Sequence, residues 1–298
     1  MTLSTEDEGL EIEKERGVSG YEQAKGRQWP RYLAHAILII ASLIAFLPFF
    51  WGLMTSLKPE SQIFATIYQI IPAHPTLENY VFVWVNQPLD RWVMNSLVLS
   101  VAIVFLTLLL DTLAGYALAK GRFRGKGLLF TLVIGTLVIP PQVLLVPLYL
   151  EVNAINWGGT YWAIIVLFIA NPFGTFFMRQ FFLTIPDSLM EAARIDGCNT
   201  LEIYTRIMLP MAKPALSSLT VFTFIFAWSA FLWPLIIIND HAMFPLQVGI
   251  ALLTGPYTNQ WGQLLAASIM AAVPVITAYL LAQRTFMEGI ALTGNKGA

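Results

Sequence analysis

The chain has 298 residues, of which 57% are hydrophobic and 12% charged, with a formal net charge of -1 and a mean hydropathy of +0.66. A soluble domain carries about 25% charged residues, so this composition excludes a soluble globular protein and indicates an integral membrane protein. The near-zero net charge names no partner, because in such a chain the distribution of basic residues carries the information.

The polar segment 1–31 mixes Glu and Lys. It lacks a short apolar core followed by a small-residue cleavage site, which argues against a removable signal peptide and for a solvated tail. Six stretches then reach the roughly 20 apolar residues a helix needs to cross the hydrocarbon core. They fall at about 32–57, 93–119, 127–150, 160–183, 214–238 and 262–283. Trp29, Trp51, Trp92, Trp157, Trp162, Trp233 and Trp261 sit near the expected ends, as interfacial anchors do. The domain organisation expected is a tail over 1–31, a six-helix transmembrane domain over 32–283 with a polar loop over 185–213, and a second tail over 284–298.

Basic residues sort the connecting segments into two sides. One side collects Lys14, Arg16, Lys25, Arg27 and Arg31, then Lys120, Arg122, Arg124 and Lys126, then Arg179, Arg194, Arg206 and Lys213, then Arg284 and Lys296. The other holds Lys58 and Arg91. By the positive-inside rule the first side, with both termini, is expected in the cytoplasm of a multi-pass protein of the cytoplasmic (inner) membrane. Segments 58–92 and 239–261 are then the larger external loops.

Proline recurs at membrane depth, at Pro48, Pro140, Pro141, Pro147, Pro172, Pro234 and Pro274. The run "VIPPQVLLVP" is expected to break or kink a helix, because each inner proline frees a carbonyl that something else must satisfy. Asp111 lies inside the second span, where a carboxylate is costly and turns to the bundle interior or to water. An interhelical hydrogen bond is the first expectation for it, and contact with a transported solute the second. Asn171 beside Pro172 poses the same choice, with repair of a kink favoured. Trp228 and Trp233 could stack on a sugar ring in a pathway, though aromatics in membrane helices more often pack or anchor.

The segment "EAARIDGCNTLEIYTRIMLP", residues 191–210, is a polar island between two apolar runs. It reads as two short helices. Ser188 with Glu191 fits a capping box after Pro186, and Gly197 can supply a left-handed terminating residue. Asn199 with Glu202 fits a second cap, Glu202 and Arg206 form a favourable i,i+4 pair, and Pro210 is expected to end the second helix. Ala192 and Ala193 would leave a bare surface for close packing of a foreign backbone. Each part also has a purely local explanation, and the residues alone do not separate the two.

The island resembles the EAA loop of ATP-binding-cassette importer permeases: Glu191, Ala192, Ala193, Gly197, Ile207, Leu209 and Pro210 fill every fixed position of that pattern. "TSLKPE", "PTLENY", "AGYALAKGRFRGKG", "MRQFFLTIPDSLMEAARIDG" and "EGIALTGNKG" resemble the carbohydrate permeases of maltose type, specifically their second, MalG-like subunit. Ser229 departs from this resemblance, standing where relatives often carry Asn after the tryptophan, so the transfer of solute contacts, Ser229 included, is not direct.

The resemblance implies an all-α, six-helix MetI-like permease fold with a cytoplasmic coupling loop. It implies a half-transporter paired with a second MalF/MalG-type permease, two ATPase subunits and an extracytoplasmic sugar-binding protein. In this scheme Glu191 makes a charge-assisted contact to the ATPase, Ala192 and Ala193 pack closely, Gly197 turns, Pro210 fixes the exit angle, and the tail from Arg284 also meets the ATPases.

The chain contains no GxxxxGK[ST], HExxH or GxSxG, so nucleotide chemistry with ATP and Mg2+ is expected in partner chains rather than here. Cys198 is the single cysteine, and His35, His74 and His241 are far apart, which excludes an internal disulfide and leaves no Cys/His metal motif. No cofactor and no nucleic-acid partner are expected. Two other readings stay open: an importer of the same architecture for glycerol phosphate or a polyamine, and an ATP-independent secondary transporter. The latter would ordinarily show paired ionisable residues at the midplane. A membrane-bound sensor or scaffold is a third class that composition does not exclude.

Overall fold

A computed structural model describes residues 29–65, 68–169, 171–254 and 260–294, with side chains at 29–31, 282 and 284–294 left out of that description. The regular elements are helices. Residues 1–28 of the expected tail and the side chains of the tail over 284–298 therefore lie outside it, while 29–31 already belong to the first helix. The chain divides into two units, 1–55 and 56–298. In the first, α1 (Trp29–Ser56) is a single apolar helix with Pro48 inside.

In the second unit the hub is α3 (Leu89–Lys120), 32 residues preceded by the short α2 (Glu78–Asn86). Against α3 pack α6 (Tyr161–Ile169), α7 (Pro172–Thr184) and α11 (Lys213–Trp228). The last helix, α14 (Trp261–Gly294), packs on α2 and α11. Its backbone stays helical well into the segment expected as a tail.

Among the described residues, four helical segments are long and apolar enough to cross a membrane: Tyr32–Ser56, Leu89–Lys120, Tyr161–Thr184 and Trp261–Leu281. The third expected span is broken, since α4 (Lys126–Leu137) and the Pro141–Ala154 segment, which ends in α5 (Leu145–Ala154), meet at 92°. Pro140 and Pro141 sit at that break, as the proline run predicts.

The fifth span, expected as one helix over 214–238, is also divided. α11 stops at Trp228, and α12 (Leu232–Ile237) restarts after Phe231. Sixteen residues of α11 rise about 24 Å, short of a full crossing, so the fifth span needs both pieces.

Small and polar residues let α3 and α7 approach closely. A Cβ on Gly115 would come within 2.8 Å of Met178 Cβ and 2.9 Å of the Arg179 nitrogen, the small-residue packing typical of helices in lipid. Around α3 two cores form. One joins Leu99, Ile103, Ile164, Trp228, Ile237 and Leu246. The other lies at the basic end and includes Tyr116, Met178, Phe182, Met190, Tyr204 and Met208.

On the opposite face, Glu60 accepts from the Trp261 and Gly262 nitrogens at 2.9 Å each and so caps α14. Asn79 donates to the carbonyls of Ser56 and Lys58, both at 2.8 Å, and the Lys58 ammonium donates to the Gln69 carbonyl. Segment 58–80 is thus tied to the helix ends rather than hanging free.

Candidate functional site

The polar island is a helical hairpin built into the second core. Its first arm is α8 (Asp187–Ile195), followed by α9 (Thr200–Ile203), a π turn over Tyr204–Met208 and α10 (Leu209–Met211). The expected capping box at Ser188 does not form. Pro186 is the N-cap, without a side-chain bond, and helix start is secured instead by charge. Lys120, at the end of α3, donates at 2.6 Å to the Asp187 carboxylate and at 2.6 Å to the Ile185 carbonyl. That hydrogen bond first, and then the charge of Lys120, hold the Asp187 carboxyl below the usual carboxylate range.

At the other end of α8, Gly197 has φ +87°. Its nitrogen donates to the Arg194 carbonyl at 3.1 Å and that of Cys198 to the Ala193 carbonyl at 2.9 Å, the paired bonds of a Schellman motif. The second cap forms as expected. Asn199 Oδ1 accepts from Leu201 and Glu202 nitrogens, and Glu202 Oε2 accepts from the Asn199 nitrogen at 2.9 Å. Glu202 and Arg206 lie 3.7 Å apart, an exposed pair that contributes little.

Pro210 does not end the second arm. The helix runs on to Met211, and the turn comes at buried Ala212, where the chain bends 77° into α11. Pro210 has no N–H for the Arg206 carbonyl, and its ring would crowd that group; the π turn immediately before it supplies the wider spacing.

Tyr204 ties the hairpin inward. Its hydroxyl lies 2.6 Å from Thr112 Oγ1 on α3, and its ring sits 5.2 Å from that of Tyr116. Met190, Ala193, Ile203 and Met208 are buried beside it, with Ile207 and Leu209 partly buried against them. Ala193 therefore faces the chain's own core and not a bare outer surface. The outer face carries Glu191, Ala192 and Ile195, the last 86% exposed, with Leu201 65% exposed on the second arm. Glu191 thus lies beside exposed apolar side chains on a hairpin whose inner face is seated in the second core.

Arg179 joins three helices at this end. From α7 its Nε donates to the Leu118 carbonyl of α3 at 3.2 Å, and its guanidinium lies 3.6 Å over the Phe130 ring of α4. Lys120, Asp187, Thr112, Tyr204 and Arg179 were not among the expected site residues. Lys120 and Arg179 carried a signal only as basic-side charges, and Tyr204 only as an aromatic within the island.

Of the pathway candidates, Asp111 and Asn171 line one cleft of about 610 Å³ bordered by α3, α4 and α7, which Trp228, Ser229 and Trp233 do not line. Asp111 is buried and accepts from Thr175 Oγ1 at 2.6 Å, an α3–α7 bond; this is the interhelical role expected first. Asn171 accepts from the Phe173 nitrogen at 3.0 Å and caps α7 after the break at Pro172, as kink repair predicts.

Trp228 and Trp233 are 1% and 7% exposed, and their indoles donate at 3.0 Å to the carbonyls of Ala271 and Ala163. Both are struts in the first core, the packing role favoured for them over contact with a solute. Ser229 is exposed at the break that follows α11. Of the tryptophans expected as interfacial anchors, Trp51, Trp157, Trp162 and Trp261 are exposed, whereas Trp92 and Trp233 are buried.

Residues 111–285 match the family described as the inner membrane component of binding-protein-dependent transport systems. The chain belongs to this family. As a family member it is a membrane-embedded permease subunit of an ABC transporter and not an enzyme.

The permease is 36% identical over 259 residues to the arabinooligosaccharides transport system permease protein AraQ of Halalkalibacterium halodurans, covering 86% of this chain and 93% of that one. It is 30% identical over 274 residues to the sn-glycerol-3-phosphate transport system permease protein UgpE of Escherichia coli, covering 89% and 98%. Its fold matches a chain of a bacterial ABC transporter involved in import of the acidic polysaccharide alginate, with a TM-score of 0.73, 25% identity and coverage of 86% and 95%. The MetI-like permease architecture expected from the island is thereby shown.

Proposed function

We propose that this permease forms half of the pathway of an ATP-driven importer for a sugar or oligosaccharide, coupled to separate ATPase subunits through the 187–211 hairpin. The observation that carries the coupling role is the seating of the hairpin. Tyr204, Met190 and Met208 lock it to α3, α7 and α11, while Glu191, Ala192, Ile195 and Leu201 face outward. A pull on that outer face moves the ends of three helices as a body, and a gate with two packings responds to such motion.

In this reading a second, MalF/MalG-type permease chain completes the pathway and two ATPase subunits bind ATP and Mg2+ beneath the hairpins. An extracytoplasmic binding protein docks on segments 58–92 and 239–261. The basic side, with both termini, faces the cytoplasm. The tail from Arg284 adds a further ATPase contact.

For the solute, the permease of an arabinooligosaccharide system and a chain of an alginate importer support a carbohydrate. A phosphorylated solute, as in the glycerol-phosphate relative, would call for buried Arg or Lys. Arg179, at the basic end of the fourth span, is the one Lys or Arg within the six expected spans, which favours a neutral solute.

Gly197 tests the coupling role. Apart from its chain neighbours, no atom of the described residues lies within 4 Å of a Cβ placed there, so the cost of a substitution is the left-handed backbone, about 1–2 kcal/mol for most residues. Gly197→Asn, which tolerates that conformation, should keep transport and co-purification with the ATPase. Gly197→Val, β-branched, should lose most of both while the chain still inserts. Full sugar uptake and ATPase recovery in Gly197→Val would overturn the assignment.

A further inference from the structure

On the basic face, the end of α3, the turn after it and the hairpin enclose a cleft of about 630 Å³. Lys120, Arg122 and Arg194 line it, together with Leu113, Phe123 and Tyr204, and no acidic side chain does so among the described residues. Lys120 is engaged with Asp187 and the Ile185 carbonyl. Arg122 and Arg194 have no hydrogen-bond acceptor among the described residues. The Asp187 carboxylate lies beyond the Lys120 ammonium, whose hydrogen bond and charge hold it below the usual carboxylate range, with Arg122 and Arg194 adding to the same effect.

The position of the cleft narrows what can satisfy them. Lys120 is the last residue of an apolar 32-residue helix that is long enough to cross a membrane; such a helix rises about 48 Å against a hydrocarbon core of about 30 Å, so its basic end reaches the headgroup region. Leu113 and Phe123 are 40% and 44% exposed and give it an apolar wall. Two guanidinium forks above an apolar wall match a phosphate attached to acyl chains, and basic pockets between membrane helices are known to take such headgroups.

We propose that this cleft binds the phosphate of an anionic phospholipid from the same leaflet, wedged between α3 and the hairpin. Arg122 and Arg194 supply the charge-assisted bonds, and Leu113 and Phe123 lie along the acyl chain. Since Arg194 belongs to α8, an occupied cleft would hold the hairpin to the membrane surface. The cleft borders the proposed ATPase-docking face and shares Leu201 with it, so the test separates loss of lipid from loss of the ATPase.

The test is native mass spectrometry of the assembled complex purified in mild detergent and exchanged into either phosphatidylcholine or phosphatidylglycerol. The wild-type complex should retain phosphatidylglycerol on this chain in preference to phosphatidylcholine. In the double variant Arg122→Gln/Arg194→Gln retention should fall roughly tenfold or more, the sign of a lost specific contact. The Lys/Lys double variant should recover part of it, and Arg124→Gln, outside the cleft lining, should leave it unchanged.

Equal retention of both lipids, or full displacement of phosphatidylglycerol by inorganic phosphate, would overturn the proposal. So would a Gln/Gln variant that keeps its lipid but sheds its ATPase subunits, since the cleft would then be a protein-docking surface. Preferential retention on a chain recovered without any ATPase would uphold the lipid site while refuting the coupling role.

Discussion

At the scale of single residues, the junction of α3 with α7 depends on an absent side chain. The Asp111 carboxylate fills the space a Cβ on Gly174 would take, and the neighbouring Thr175 donates to it. A carboxylate buried at this depth is costly, and one strong interhelical bond offsets only part of that cost. Its second oxygen, Oδ2, has no hydrogen-bond partner. Gly174→Ala is therefore expected to overpack the contact and destabilise the fold by about 1–3 kcal/mol. Adding Asp111→Ala should relieve much of that loss, leaving the smaller deficit of a missing interhelical bond, about 0.6 kcal/mol on average. Thermal unfolding of the singles and the double in detergent gives the cycle. Strictly additive losses would show that the two residues do not share this space.

At the scale of the element, the α8 arm is closed by a Gly197 Schellman motif at one end and by the Lys120–Asp187 contact at the other. The Asp187 carboxyl is held below its ordinary range by Lys120, so any stabilisation from the pair is present above the unfolded value and disappears as pH falls through the folded one. Asp187→Asn should therefore loosen the amides of 187–195 at neutral pH. The difference in hydrogen exchange between variant and wild type should vanish once the pH drops below the carboxylate range. Asp187 is exposed, so the effect is expected to be local and small. A difference that persisted in acid would place the role of Asp187 elsewhere than in this ion pair.

At the scale of the whole molecule, Trp228 and Trp233 act as cross-braces. Their indoles reach carbonyls 43 and 70 residues away in sequence. If both are struts, Trp228→Phe and Trp233→Phe should each lower stability by about 0.5–1.5 kcal/mol, the usual worth of a hydrogen bond. The ranking of competing sugars in an uptake assay should stay as in the wild type. A changed sugar ranking at unchanged stability would restore the pathway role. The hub arrangement also places the hairpin, the break at Pro140 and the α11–α12 break on helices that touch α3 or its neighbours.

The sequence by itself determined what depends on composition and on neighbours along the chain. Apolar length marked the membrane segments, the proline pair marked the 92° break, and Gly197 and Asn199 marked the ends of the hairpin arms, because caps and turns are satisfied within a few residues. The spacing of Glu191, Ala192, Ala193, Gly197, Ile207, Leu209 and Pro210 identified the family. Which way a side chain faces was decided only by the tertiary structure. Ala193, Trp228 and Trp233 are buried, and Ala192 is exposed. A helix in lipid is apolar on both its packed and its lipid-facing sides, so periodicity does not distinguish them. The same holds for Lys120 and Tyr204, whose partners Asp187 and Thr112 lie 67 and 92 residues away. Those contacts exist only once α3, α7 and α11 have closed around the hairpin.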